Sequence, residues 1–325
     1  MTYQNNIFFS VIIPTRNRPK VMHEALTSVL NQTEKSIEII VVNDGSDDQY
    51  ASDYEQICQH KNITVLNLEQ SLKGHGPSYA LNMGVAIAKG EYIAFLDDDD
   101  QWSSLTHLTD AKKSLSNNSA DIYLTLQEAY KDNQLKDKSI WLSPLTEILD
   151  NNKTASELNV DTLIKCGGFA HRNNLIISKS LYKSIDGHDE NLRYEEDREF
   201  YLRAIDQAKK IIFVPEFISR HNIPTPKNNN LSNSYSEISK LRSRLYLFDS
   251  IITQSNNINI IKYAELQKVY TLKTLAEAFY KEKKYTLASH YAKQAICIKF
   301  SPKWIAFTFF IAIKAIKKGA IGNTK

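Results

Sequence analysis

Apolar and polar positions follow one another along this chain in blocks rather than residue by residue. The stretch IFFSVII (7–13) is apolar at every position but Ser10 and rich in β-branched and aromatic residues. That pattern predicts a strand buried on both faces, which Pro14 breaks. Beyond it Val21, Met22, Ala25, Leu26, Val29 and Leu30 recur at helical spacing, with Asn17 as the expected cap and Pro19 in the first turn. IEIIVVNDGSDD (37–48) repeats the scheme, a second buried strand running into a turn at Gly45. A third short strand is expected at ITVLNL (63–68), followed by the loop EQSLKGHGPS and a helix through YALNMGVAIAKG that stops at Gly90. EYIAFL (91–96) is the fourth strand. Strands alternating with helices imply an α/β fold with a mostly parallel sheet and helices on both faces. Its ligands sit outside the carboxyl ends of the strands. PTRN (14–17), NDGSDD and the four aspartates Asp97 to Asp100 all fall at those ends.

The pattern changes further along. KCGGFAHRNNLIISKSLY has a Gly-Gly turn before an expected strand, and VPEFISRHNIP reads as a strand with His221 at its end. After Pro226 a polar, Asn-rich connector follows, and the rest is helical. The division expected is a first domain over 1–225 (nucleotide-binding half about 1–105, acceptor half about 106–225), a linker at 226–240 and a helical region over 241–325. Within the last, residues 272–302 are similar to one tetratricopeptide helical hairpin through Leu275, Ala276, Tyr285, Ala288 and Ala295. KWIAFTFFIAIKAIKK (303–318) is too short an apolar run to span a bilayer and fits a buried helix first, an interfacial one second.

Composition removes several classes of function. The chain of 325 residues is 42% hydrophobic and 24% charged, which is globular. Forty basic residues against thirty-seven acidic ones give a formal charge of +3, too little for a nucleic-acid partner. Cys58, Cys166 and Cys297 form no CxxC pair, so neither a disulfide framework nor a zinc site is expected. With no basic segment ahead of the first apolar run, the start reads as a strand rather than a signal peptide, and a cytoplasmic location is expected. Contact with the inner face of a membrane is added if the last helix is interfacial.

The chemistry concentrates in the aspartates. In an extended run Asp97 and Asp99 would face one way and Asp98 the other, making a hard oxygen site for magnesium or manganese and a substrate diphosphate. A calcium loop fails, because Trp102 and Leu108 stand where it needs glycine and glutamate. No P-loop occurs, and Tyr79 occupies the third glycine of a dinucleotide fingerprint. Asp44 is placed either to accept from a base or sugar or to cap the helix after it. Glu195, Glu196 and Asp197 crowd a helix start, where stacked carboxylates raise one another's pKa.

In combination and order, VIIPTRNRP, IEIIVVNDGSDD, ALNMGVAIAKGEYIAFLDDDD and GHDENLRYEEDREFYLRA make residues 7–222 resemble family 2 glycosyltransferases of the GT-A fold. The resemblance implies a nucleotide-sugar donor, UDP-linked, and a saccharide or lipid-linked saccharide acceptor in surface polysaccharide or glycolipid synthesis. It implies a divalent metal (Mn2+ or Mg2+) at Asp97 and Asp99 with His221 nearby, Asp98 near the donor ribose and Asp44 at the base. Pro14, Thr15 and Arg16 would line the nucleotide. It also implies an inverting displacement with Asp197 as general base, paired with Glu196. Where the family often carries arginine before Asn82 this chain has Leu81, so Lys73 is the substitute expected at the donor phosphate. His171 and Arg172 lie in the region that faces the acceptor. Two other readings are a scaffold that works through its helical tail and a phosphohydrolase, although Gln101 breaks the aspartate motif the latter needs.

Overall fold

The computed structural model describes residues 7–137, 141–149, 155–223 and 235–322. The chain divides into two units, Met1–Asn228 and Asn229–Lys325. The first unit opens with β1 (Phe9–Thr15), α1 (Pro19–Leu30), β2 (Ile37–Asn43), α2 (Ala51–Ile57), β3 (Ile63–Asn67), α3 (Pro77–Ile87) and β4 (Tyr92–Phe95). It continues with β5 (Gln101–Trp102), α4 (His107–Asn118), β6 (Ile122–Lys131), β7 (Gln134–Asp137), α5 (Pro144–Ile148), β8 (Ser156–Leu158) and α6 (Val160–Cys166). It closes with β9 (Leu175–Ser178), α7 (Lys179–Ser184), α8 (Glu196–Gln207) and β10 (Ile211–Asn222).

One sheet runs through the unit in the order β3-β2-β1-β4-β9-β6-β10-β5. Its first four strands are parallel, as their apolar runs predict; β1 and β2 are buried along almost their whole length. β9 then inserts antiparallel between β4 and β6, so the second half is mixed. That strand carries residues 171–174, just ahead of it, to the end of β4. Gly84 lets α3 lie close on the sheet, because a Cβ there would meet Ile12 Cγ2 at 2.6 Å and Val42 Cγ2 at 2.9 Å. The core on the opposite face joins Val11, Ile13, Met22, Leu26, Leu108 and Tyr123.

Two expected details differ. Asn17 does not cap α1: its backbone is left-handed (φ 56°), and its side chain bonds the amide and carboxylate of Asp47 instead. α3 ends at Ile87 rather than at Gly90, since Ala88 is already extended.

The second unit is all helical: α9 (Glu237–Gln254), α10 (Ile258–Lys281), α11 (Tyr285–Ile298) and α12 (Pro302–Gly322). Most of the expected linker lies outside the described residues, and α9 begins four residues before the expected boundary at 241. Leu275, Ala276, Ala288 and Ala295 are fully buried where α10 packs on α11, and the small side chains allow that close approach. α12 docks through a narrow stripe around Ile311 and Thr308, so the expectation of a buried helix holds for that stripe alone.

Candidate active site

β4 ends at Phe95, and the four aspartates close a turn in which the Asp100 amide donates to the Asp97 carbonyl at 3.1 Å. The alternation expected of an extended run therefore fails. Asp98 and Asp99 both pair with Arg18, the latter at 3.1 Å. Asp97 faces His171 at 3.5 Å and Arg172 at 3.4 Å. Asp100 accepts from the Asn222 amide at 2.7 Å and meets His221 Nδ1 at 2.8 Å. Asn173 holds both ends of the turn: its Oδ1 accepts from the Asp97 amide at 2.9 Å and its Nδ2 donates to Asp100.

Four carboxylates in one turn disturb each other's ionisation. Burial raises Asp97 and Asp98 to about 7; Arg172 and Arg18 respectively oppose the rise and neighbouring aspartates add to it. Asp99 is raised by burial and by Asp100. Burial pushes Asp100 up as well, but His221, His171 and the Asn222 amide together bring it below the ordinary carboxylate value. Burial resists charge on His221 in turn, but Asp100 overrides it and holds the imidazole up at about 9. His171 lies well below its ordinary value, through burial and then the nearby His221, and is a neutral imidazole.

Among the described residues, one oxygen of Asp100 and one nitrogen each of His171 and His221 lie within 4.8 Å of one another. A carboxylate oxygen and two imidazole nitrogens can hold a divalent transition-metal ion, and clustered acid is what such a cation relieves. Of the three ligands expected, Asp97, Asp99 and His221, this set holds His221 alone. Asp97 and Asp99 stand beside it with 21% and 26% of their side-chain surface exposed. Asp100 and His171, not expected at the metal from the sequence, join His221 in this cluster; the four-aspartate run and the histidine beside Arg172 were the signals.

The acidic helix start lies on the other side of Arg172. Glu195 adopts φ 67°, a left-handed conformation that costs a non-glycine residue roughly 1–3 kcal/mol, and so turns the chain into α8. Glu196 is buried and bonded to Arg172. Asp197 accepts from the Arg198 amide at 2.8 Å. Burial raises Asp197 to about 7, with Glu196 adding to the shift and Arg172 opposing it. Arg172 thus touches the aspartate turn at Asp97 and the helix start at Glu196.

The expected nucleotide side is built from loops tied to one another. Pro14 is half-buried at the end of β1, and Thr15, buried, shares a hydrogen bond with the Tyr54 hydroxyl at 3.1 Å. Arg16 donates to the Ser71 carbonyl at 2.8 Å. Asp44 does not cap the short helical turn that follows it. It accepts from the His75 amide at 2.8 Å, meets the His75 ring at 2.9 Å and accepts from the Gly76 amide at 3.0 Å, fixing the start of α3. Gly74 is required there, since φ is +65° and a Cβ would meet Asp44 Oδ2 at 2.5 Å. Arg193, unnoticed in the sequence, donates to the carbonyls of Gly74 and His75 at 2.9 Å each. Lys73 is exposed on this loop, and Leu81 is fully buried in the core. Asn82 donates to the His188 carbonyl at 2.9 Å and to Glu190 at 2.8 Å.

A scan against protein families matches residues 10–181, more than half of the chain, to glycosyl transferase family 2. The chain belongs to that family. An uncharacterized glycosyltransferase of Rickettsia bellii is 26% identical over 289 residues, covering 88% of this chain and 40% of its relative. Matches to two similar Rickettsia proteins span 65% of their length, so this family 2 chain covers less than two thirds of these curated relatives. Among solved structures, Staphylococcus aureus TarS 1–349 in complex with UDP-GlcNAc superposes with a TM-score of 0.69 at 20% identity, covering 95% of this chain and 88% of TarS 1–349. The mannosyltransferase PcManGT of Pyrobaculum calidifontis, in complex with GDP-Man and Mn2+, gives 0.58 at 17% identity, with 98% and 88% covered. Both show that this family 2 chain has the GT-A fold, extended by the helices α9–α12.

Proposed function

We propose that the chain is an inverting, metal-dependent glycosyltransferase that moves a sugar from a UDP-sugar to a hydroxyl of a saccharide or lipid-linked saccharide acceptor, in surface polysaccharide or glycolipid synthesis. The observation that carries the reading is Arg172, which ties the aspartate turn to the acidic start of α8 and so sets a donor-side cluster beside a candidate base. The UDP donor and the divalent ion draw support from what TarS and PcManGT hold.

A divalent cation held by Asp100, His171 and His221, with Asp97 and Asp99 beside it, would act as Lewis acid toward the departing nucleoside diphosphate. Asp98, bound to Arg18, remains the candidate contact for the ribose, and Asp44 shapes the loop expected around the base. Lys73, exposed on that loop, stays the candidate for the donor phosphate. Asp197 takes the proton of the acceptor hydroxyl as its oxygen attacks the anomeric carbon. The bond to the diphosphate breaks on the opposite face, so configuration inverts. Glu196, held by Arg172, positions the base. The test is a thermal-shift screen of nucleotide sugars with and without manganese. A UDP-sugar at a hundred times its dissociation constant should add about 2.7 kcal/mol of stability, and only with the metal. No shift with any sugar nucleotide sinks the reading.

A further inference from the structure

Residues 283–325 contain nine lysines and no acidic residue, while the other 282 residues carry 31 basic and 37 acidic side chains. The small net charge of the chain therefore conceals a strongly cationic segment on an otherwise acidic protein. That segment ends in α12, whose inner stripe is anchored by Ile311, fully buried, and by Phe307 against the cluster of Leu241, Leu275, Phe279 and Ala288. Lys314 donates to the Tyr280 hydroxyl at 2.8 Å, which fixes the helix in rotation.

With that face docked, the opposite face should be polar if it only met water. It is not. Ala306, Phe309, Ile313 and Ile316 recur there at helical spacing, all exposed, with Ile316 at 72% and Phe309 at 68%. Phe310 and, just before the helix, Phe300 add to the exposed apolar surface. Lys303 is the one charged residue among the exposed described positions of α12. No helix among the described residues is long and apolar enough to cross a membrane, so this one can lie on a bilayer and not through it. A symmetric second copy is a poor cover, because it would set one lysine-rich, acid-free segment against another.

We propose that the outer face of α12, with Phe300, seats the C-terminal unit on an anionic lipid surface, the apolar stripe entering the headgroup boundary and the lysines meeting the lipid phosphates. This inference stands apart from the transferase reading, since lipid binding by the helix needs neither metal nor donor.

The test is co-sedimentation of the full chain with vesicles of phosphatidylcholine alone or mixed with phosphatidylglycerol. The protein should pellet with the anionic vesicles, scarcely with the neutral ones, and less as salt is raised. Lys299→Gln with Lys303→Gln should weaken partitioning about 25-fold, each lysine near an anionic surface contributing about fivefold. Phe309→Glu with Ile313→Glu should abolish it while the circular dichroism and melting temperature stay unchanged. Phe309→Trp keeps the face apolar, and its fluorescence should be quenched by brominated acyl chains. Absence of binding to anionic vesicles, equal binding by the glutamate variant, or no quenching of Trp by brominated lipid overturns the proposal. So does a wild-type dimer in sedimentation velocity that the glutamate substitutions split, which would assign the face to a second copy.

Discussion

Asp197, the proposed general base, sits in an environment that sets a measurable condition on the proposed reaction. Burial and Glu196 hold its carboxyl at about 7, against the pull of Arg172. A base works ionised, so the activity kcat/KM should be low below that pH, rise by one proton through about 7 and level off above it. Asp197→Asn keeps the size of the side chain and removes the base. Turnover should drop about 10²–10⁴-fold while calorimetry finds donor affinity unchanged, and near-normal turnover would remove Asp197 from the chemistry. Arg172 makes a different prediction, because it is buried and compensates Asp97 and Glu196 together. Arg172→Met leaves those acids without their partner and should cost about 3–5 kcal/mol in denaturant unfolding. In whatever activity remains, the pH rise should move upward, since the group that lowered the pKa of Asp197 is gone.

At the scale of single elements, α4 and α3 carry the clearest consequences. His107 opens α4 wedged between Trp102 and Tyr123, and neither ring nitrogen has a hydrogen-bond partner. Burial pushes it down to about 3. A folded pKa below the unfolded value of about 6.5 means stability that is full above that pH and is lost as pH falls toward 3. The wild type should therefore lose about 1.4 kcal/mol per pH unit across that window from this residue, measured by urea unfolding at a series of pH values. His107→Phe should remove that slope and leave stability at pH 7 equal or higher. For α3, Gly84→Ala should destabilise, because overpacking against Ile12 and Val42 costs roughly 1–3 kcal/mol and the gain in helix propensity is at most about 1. The elements that pack differently were unequally legible. β1, β2 and β4 announce themselves as apolar runs interrupted internally only by Ser10 and Glu38, whereas α2 and α4 are largely polar and rest on contacts the pattern does not contain. The aspartate turn was visible as a cluster, but its facing was not: strand alternation ends at Phe95, and the partners that orient each carboxylate come from residues 18, 171–173 and 221–222. Periodicity reports neighbours along an element, and these are neighbours across the sheet.

For the molecule as a whole, the composition changes after Pro226, close to where the two units divide after Asn228, and the helical hairpin shows as a pattern of small residues. The order of the sheet was not legible in the sequence, since the insertion of β9 between β4 and β6 leaves no local trace. That insertion governs when the molecule becomes competent during its own synthesis. Asp100 and its partner Asn222 are 122 residues apart, so at roughly 5–20 residues per second a ribosome needs about 6–24 s between them. For the first part of that interval the nascent chain holds four adjacent aspartates without Arg172, for nearly all of it without His221, and β4 ends the parallel half as an open edge until β9 arrives. Refolding from denaturant should show the same order of events. The local contacts of α9–α12 should return in the early helical signal, and the proposed binding of a divalent ion and UDP should return last, with the slow closure of the mixed half of the sheet.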